Sequence, residues 1–556
     1  MRHVKLRVMA PYRQGSGDAS RFRSELMLGA KLMLAAAYGA LIVLLPQNSL
    51  MILAAPIAVM LLISLWLLPD RDVFPRTQIE SIFSVYLVLM VAWPAYLALN
   101  VPGLPWVTPT RATLFLLILL FMYSVATSAA LRLHLMAVVR SSKLIWILFC
   151  IFEVTQLITI PLSSNIGNSI HKVVNNQIYW TSMLFLGCLL FTRPGRASKV
   201  VAYLIFLAVL TSLDGFVEYK LEMPPWANHI PSFLRVDEET LGVALGSQAR
   251  AADGLYRVRG PFTVSLVFAE YLALCMPFIL HYLIAGRTTK VRVVMAFAWL
   301  IVTAGILLTN GRLGLIGWFI AHLGYLLFWG LRLWRRNTSS LVAPAVVLGF
   351  PALAGIVMVL ILTSTTLSNR ILGGGPQAAS DESRRIQRAM AVPKILHNPI
   401  GYGGGQSGNT LGFVSPSGVV TVDMHYITTV LDYGVVGFFA FYGIFVLGAW
   451  DAFKDYLATE DHEIELQAPL AVAMIIFLVI RGVLSQETNI PLAFLLVGMI
   501  LALKSRRQGL ANMLPSDAGP QTSGMIGDWS NSSGNSTRLD GDDRHSTGRL
   551  IPEVRK

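Results

Sequence analysis

The sequence predicts an all-α polytopic membrane protein. Apolar runs of about 17 to 25 residues recur along nearly the whole chain, the length that crosses a hydrocarbon core about 30 Å thick. Hydrophobic residues make up 54% of the chain and charged residues 13%, whereas a typical soluble domain is roughly 25% charged. Lysine and arginine fall between alternate runs, which gives the spans an orientation.

Fourteen spans are expected, at 26–46, 49–68, 79–99, 112–131, 144–163, 178–192, 200–217, 263–285, 293–309, 313–331, 341–363, 426–450, 467–486 and 489–504. The first run is long enough to span, and no small-residue cleavage pattern follows it, so it reads as a helix and not as a signal peptide. The N-terminal arm, 1–25, carries Arg2, Lys5, Arg7, Arg13, Arg21 and Arg23. Alternate loops hold Arg71/Arg76, Arg132/Arg140/Lys143, Arg193/Arg196/Lys199, Arg287/Lys290/Arg292, Arg332/Arg335/Arg336 and Lys504/Arg506/Arg507. The short loops between them are nearly free of such charge, which puts both termini in the cytoplasm. Much of the net charge of +13 is therefore topological, and no nucleic-acid partner is needed to explain it. Cys150, Cys188 and Cys275 lie inside apolar runs, where they read as small packing residues and not as a disulfide framework.

Two external loops, 218–262 and 364–424, are far longer than the rest, and long loops in a compact protein are functional or disordered. The first ends in Tyr256-Arg257-Val258-Arg259-Gly260-Pro261-Phe262. The second contains a helix-like stretch, 383–396, in which Arg384, Arg388 and Ala391-Val392 recur at helical spacing, giving a cationic face and an apolar one. The tail, 505–556, is rich in Ser, Gly, Asn and Asp without apolar periodicity and is expected to be disordered. No soluble catalytic domain is evident, so any chemistry falls to the membrane body, 26–504, and its two loops.

One charge stands out. Arg312, in Thr309-Asn310-Gly311-Arg312-Leu313-Gly314, sits between two membrane-length runs, where an arginine must face protein, water or an anion. Arg257, Arg259, Arg384, Arg385, Arg388 and His425 fall on the same side of the expected topology. Taken singly, each has a plainer explanation: a snorkelling anchor for Arg312, a solvated face for the 384–388 run, an incidental histidine. The glycines at 373–375 and 401–405 fit flexible turns or an anion-binding nest. Arg481, inside an expected span, reads as a structural or cavity-lining charge.

The ordered set is more specific than its members. Arg257-Val-Arg259-Gly-Pro-Phe precedes Glu270-Tyr271-Leu272, then Asn310-Gly-Arg312-Leu-Gly and Ser383-Arg384-Arg385-Ile386. Asn398-Pro399-Ile400-Gly401-Tyr402-Gly403, Asp423-Met424-His425-Tyr426 and Asp432-Tyr433-Gly434-Val435-Val436-Gly437 follow. This pattern resembles the O-antigen ligase and O-antigen polymerase superfamily of bacterial envelope glycosyltransferases. The motifs cover roughly residues 200–450. The family usually has a serine before the Arg312 position, an asparagine-containing stretch after the Arg257 motif and a tryptophan a few residues beyond Arg385. This chain has Gly311, Val264-Ser265 and Arg388-Ala389 there.

The resemblance implies a fold like that of the C-type membrane glycosyltransferases, in the inner membrane, with the site at its periplasmic face. It implies an undecaprenyl diphosphate-linked glycan as donor and a sugar as acceptor, with neither cofactor nor metal. In a polymerase the acceptor is a carrier-linked repeat unit; in a ligase it is the lipid A core. Polysaccharide export or chain-length proteins are further candidate partners. Arg312 and Arg385 are expected on the diphosphate, since guanidinium grips phosphate oxygens bidentately. Arg257 would assist or hold the glycan, with Arg259, Arg384 and Arg388 as alternates. His425 is the expected general base for the acceptor hydroxyl, because histidine titrates in the right range. The second loop is expected to fold back and bring 384–388 near Arg312 and His425. A lipid-linked oligosaccharide flippase is the reading from another class, but no clear repeat relates the two halves, as is common in transporters.

Overall fold

The computed structural model describes residues 60–61, 63–70, 74–99, 106–235, 241, 245–246, 256–336, 341–364, 368, 378–415 and 418–509. The expected arm 1–25, the span at 26–46, the glycines at 373–375 and the tail beyond 509 lie outside the described residues. Of the span at 49–68, only its second half is described in part.

The described residues are mostly helical and contain no strand beyond isolated bridges such as Leu99 with Val107. The first helices are α1 (Arg76–Ala92), α2 (Pro109–Thr127), α3 (Ala129–Arg140), α4 (Lys143–Thr159) and α5 (Ile166–Asn176). A π-helical turn, Gln177–Thr181, joins α5 to α6 (Ser182–Leu190), and α7 (Arg196–Leu221) follows. Then come α8 (Ser265–Ala285), α9 (Thr289–Leu308), α10 (Arg312–Arg336), α11 (Val342–Thr363) and α12 (Ala378–His397). The last are α13 (Ser407–Leu411), α14 (His425–Ala458), α15 (Gln467–Arg481) and α16 (Ile490–Arg507).

Helix starts carry local signals. Thr108 caps α2, its hydroxyl accepting from the Arg111 N–H at 3.1 Å with Pro109 at the first helical position. Ser128 does the same for α3, through the Leu131 N–H at 3.2 Å. That cap splits the span expected at 112–131 into two helices.

Among the described residues, eight helices are long and apolar enough to cross a membrane: α2, α4, α7, α8, α9, α10, α14 and α15, two of these counted with an adjoining 3-10 turn. Helix α8 is buried nearly all round, whereas α9 turns Val293, Val294, Phe297 and Leu300 outward. A helix that exposes so much apolar surface needs an apolar solvent, so the chain is a membrane protein with α8, α15 and α16 at its centre. The span expected at 178–192 is the second half of a longer helical run, 166–190, whose first half is too polar to register as a span.

Two close approaches fix the packing. Helices α6 and α16 meet at Gly187 and Gly498, where a Cβ on Gly498 would stand 2.4 Å from the Leu184 carbonyl oxygen; small residues at such crossings let backbones touch. Helix α14 is broken at Gly434 (φ 72, ψ −178). Residues 399–403 enter the break: Tyr402 N–H donates to the Leu431 carbonyl at 2.8 Å, Gly403 N–H to that of Asp432 at 3.0 Å, and Val435 N–H to that of Pro399 at 2.9 Å. The Asn398–Gly403 and Asp432–Gly437 motifs are thus two halves of one joint.

Candidate functional site

The turn from α9 to α10 carries Arg312 at the first position of α10. Asn310 takes a left-handed conformation (φ 46) there and donates from its amide to the Tyr256 carbonyl at 2.8 Å. Asparagine tolerates that backbone better than most residues. Val258 N–H donates to the Leu308 carbonyl at 3.2 Å, and Arg257 Nε to the Thr309 carbonyl at 3.3 Å. The Arg257 motif is therefore stitched to the Arg312 turn.

Glu218, near the end of α7, anchors the other side of that loop. Its carboxylate accepts from the Gly260 N–H at 2.7 Å, the Arg259 N–H at 3.2 Å and the Tyr256 hydroxyl at 2.8 Å. Burial, with the Glu218 charge beside it, pushes the Tyr256 phenol up, so it stays a donor. Arg259, expected as a substrate-binding alternate, has no exposed surface. Its backbone N–H is part of this anchor, and its side chain is buried behind it.

Helix α12 lies over the Arg312 turn. Arg312 grips Asp381 with both terminal nitrogens, at 2.6 and 2.9 Å, and Arg384 reaches the same carboxylate at 3.4 Å. The hydrogen bonds from Arg312, reinforced by the charges of Arg312, Arg384 and Arg388, hold the Asp381 carboxyl below the usual carboxylate range. Desolvation, then the neighbouring Arg312 charge, pulls Arg384 down, with Arg388 adding to it and Asp423 and Asp381 opposing. Arg257, Arg312 and Arg384 therefore gather at one recess, with Arg388 exposed at its edge, positive on balance against Asp381 and Asp423.

Arg385 does not join them. It is 77% exposed and pairs with Glu382 at 2.7 Å, whereas Arg384 is 12% exposed. Helical phase decides this: Arg384, Gln387 and Ala391 share the inward face, with Gln387 and Ala391 buried, and Arg388 stands exposed at the edge of that face. Arg384, and not Arg385, stands beside Arg312 on Asp381. That face packs on Leu411, Val422, Met424, Ile427 and Leu431, a small apolar cluster apart from the main core.

His425 opens α14 and is 2% exposed. Its Nδ1 lies 2.5 Å from the Tyr442 hydroxyl and 3.1 Å from that of Thr429, while Nε2 faces Glu487 Oε1 at 3.9 Å. Glu487 Oε2 accepts from Lys172 of α5. Two residues before His425, Asp423 accepts from the Gln387 amide at 3.1 Å and returns its own N–H at 2.9 Å. Gln387 is one helical turn from Arg384, so His425 is tied to the arginine recess through Asp423 without touching it.

Three supporting contacts are not evident in the sequence, although Arg481 reads there as a structural or cavity-lining charge. Asp381 sits three residues before Arg384, an i,i+3 spacing that signals a pair. Glu270 and Arg481 form an ion pair with no exposed surface on either partner, completed by Asn489, which donates to Glu270 at 2.9 Å. Glu270 stands in a quoted motif, and nothing local in the sequence identifies Arg481 as its partner 211 residues away. The Asp432 carboxylate accepts from the Gly405, Gln406 and Ser407 N–H groups at 2.9, 3.0 and 2.7 Å. The nest forms at 405–407, sharing only Gly405 with the expected 401–405, and a side chain of this protein fills it.

A cleft of about 580 Å³ lined by Pro194, Arg287, Glu463 and Arg506 lies at the far end of the bundle. Helix α8 starts beside the arginine recess and ends at that cleft, 21 residues later, roughly 30 Å at 1.5 Å per residue. Among the described residues, no cluster of three or more His, Cys, Asp or Glu side chains is placed to hold a metal ion. Compared with known families and with curated proteins, the chain matches none.

Proposed function

We propose that this chain is a membrane glycosyltransferase that moves a glycan from an undecaprenyl diphosphate carrier to an acceptor sugar at the periplasmic face of the bacterial inner membrane, polymerising polysaccharide repeat units. One observation carries the reading. Arginines from three separate segments, Arg257, Arg312 and Arg384, converge at one end of an apolar bundle, and Arg312 is already shaped as a two-pronged fork around a pair of anionic oxygens. A diphosphate linked to a membrane lipid presents such oxygens.

The chemistry follows from the geometry. The acceptor oxygen attacks the anomeric carbon, and the carbon–oxygen bond to the diphosphate breaks with its electron pair staying on the diphosphate. Arg312 and Arg384 stabilise that charge. Fixed donors beside a low-dielectric wall act more strongly there than in water. Arg257 supports the turn through the Thr309 carbonyl.

The test is a strain lacking the gene, with envelope glycans separated by length. Single repeat units where the parent makes long chains are the expected result. Long carrier-linked chains that fail to reach the lipid core would replace polymerase by ligase, and unchanged glycans would overturn the reading. Transfer by the purified chain should also persist with chelator present.

A further inference from the structure

The expected base, His425, is poorly placed to meet an acceptor. It is 2% exposed, and its Nδ1 is occupied by the Tyr442 hydroxyl at 2.5 Å. The Thr429 hydroxyl donates to the His425 carbonyl at 2.8 Å, one turn back along the helix. Tyr442 is therefore the natural donor to Nδ1, which assigns the ring proton to Nε2, on the side facing Glu487. A histidine with that tautomer has no nitrogen available to take a proton from a sugar.

Glu487 is differently placed. It is 30% exposed, and its two oxygens have different neighbours: Oε2 accepts from Lys172, and Oε1 faces His425 Nε2 at 3.9 Å. Its loop is held at both ends. Arg481, anchored on Glu270, donates to the Gln486 carbonyl, and Asn489 donates to the Val267 carbonyl at 2.9 Å. A carboxylate on a braced loop, flanked by two cationic or donating groups and open on one side, is held in place and can be reached by a hydroxyl from that open side.

We propose that Glu487 takes the proton of the acceptor hydroxyl, and that His425 and Lys172 are positioning residues that aim its carboxylate. This rests on the transfer reaction proposed above. As the acceptor oxygen bonds to the anomeric carbon, its O–H bond breaks and the proton passes to a Glu487 oxygen; the diphosphate leaves with the electron pair of the broken bond. Glu487 then loses its proton to water on its open side.

The full chain, reconstituted in lipid, is assayed with carrier-linked glycan extracted from cells lacking the gene, and binding is measured separately with undecaprenyl diphosphate. Glu487→Gln is expected to bind the carrier within about twofold of the parent while transfer falls by about 100- to 10,000-fold, the usual span for a lost general base. Glu487→Ala is expected to regain transfer on addition of formate, which supplies a small carboxylate to the space left. His425→Gln should lose about tenfold, less than Glu487→Gln, and gain nothing from formate, as a positioning residue would. Transfer by Glu487→Gln above about a tenth of the parent rate would overturn the proposal. So would carrier binding lost in step with transfer and no formate rescue, which would make Glu487 only the counterion that joins Lys172 to the loop. A parent chain that fails to bind undecaprenyl diphosphate would instead remove the underlying reaction, and this proposal with it.

Discussion

Arg384 and Arg385 differ by about 100° around a helix, and that angle separates a residue in the recess from one in solvent. The sequence held the information: Arg384, Arg388 and Ala391 share a helical stripe, and Arg385 does not. The motif Ser383-Arg384-Arg385-Ile386 alone fixes no phase, so the resemblance pointed one residue away. Arg385→Ala is expected to leave carrier binding and thermal unfolding unchanged, because its partner Glu382 is an exposed neighbour on the same helix. Arg384→Ala should weaken binding. Gly311, where the family usually has serine, should accept serine: a Cβ there meets Thr309 Oγ1 at 3.4 Å and Arg257 Nη2 at 3.6 Å, ordinary contact distances. A Gly311→Ser chain with normal transfer is the expected result. Asp381 adds a pH dependence. Its folded carboxyl is held below the unfolded value of about 3.9, so the clasp contributes stability above that value and loses it as pH falls through the lowered folded value. Unfolding midpoints of the parent and Asp381→Asn should therefore differ near neutrality and converge in strong acid.

The helices were legible where length and hydropathy agree, as in α8, α9 and α10, and misread where they part. Gly482-Val483-Leu484 prolongs the apolar run past Arg481, so the expected span 467–486 overshoots the end of α15 and puts Arg481, the last residue of that helix, inside the span. The break in α14 was invisible for another reason. Asp432-Tyr433-Gly434 can be read as helix, and only the insertion of 399–403 shows why Gly434 must take a positive φ. A Cβ at Gly434 would stand 2.2 Å from the Ile400 carbonyl oxygen, so Gly434→Ala must shift one half of the joint. Expression of that variant should fall sharply, with residues 398–407 becoming protease-sensitive. The Glu270–Arg481 pair makes a second element-scale prediction. Removing either partner leaves a buried charge, at a cost of about 3 to 5 kcal/mol, whereas replacing both by apolar residues should be milder. Thermal unfolding of the two single variants and the double variant in detergent reads this directly.

At the scale of the whole molecule, the architecture gathers Arg257, Arg312 and Arg384 at one end of the bundle. Helix α8 connects the arginine recess to a cleft at the other end, where Arg332, Arg506 and Arg507 pair with Glu465, Glu463 and Asp455. Those basic residues belong to the loops whose charge oriented the spans, and in the structure they are structural pairs. The recess differs because its arginines outnumber the carboxylates around them. That surplus was legible only as scattered arginines until α12 folded over the Arg312 turn, since no local pattern records contacts 69 residues apart. The proposed transfer requires that this recess seat a lipid-linked diphosphate. The most direct measurement is the affinity of the full chain in lipid for undecaprenyl diphosphate, compared between the parent and Arg312→Lys. Lysine keeps the charge but not the fork, so binding is predicted to weaken by at least about tenfold, or 1.4 kcal/mol. Equal affinity in the two chains would contradict the account.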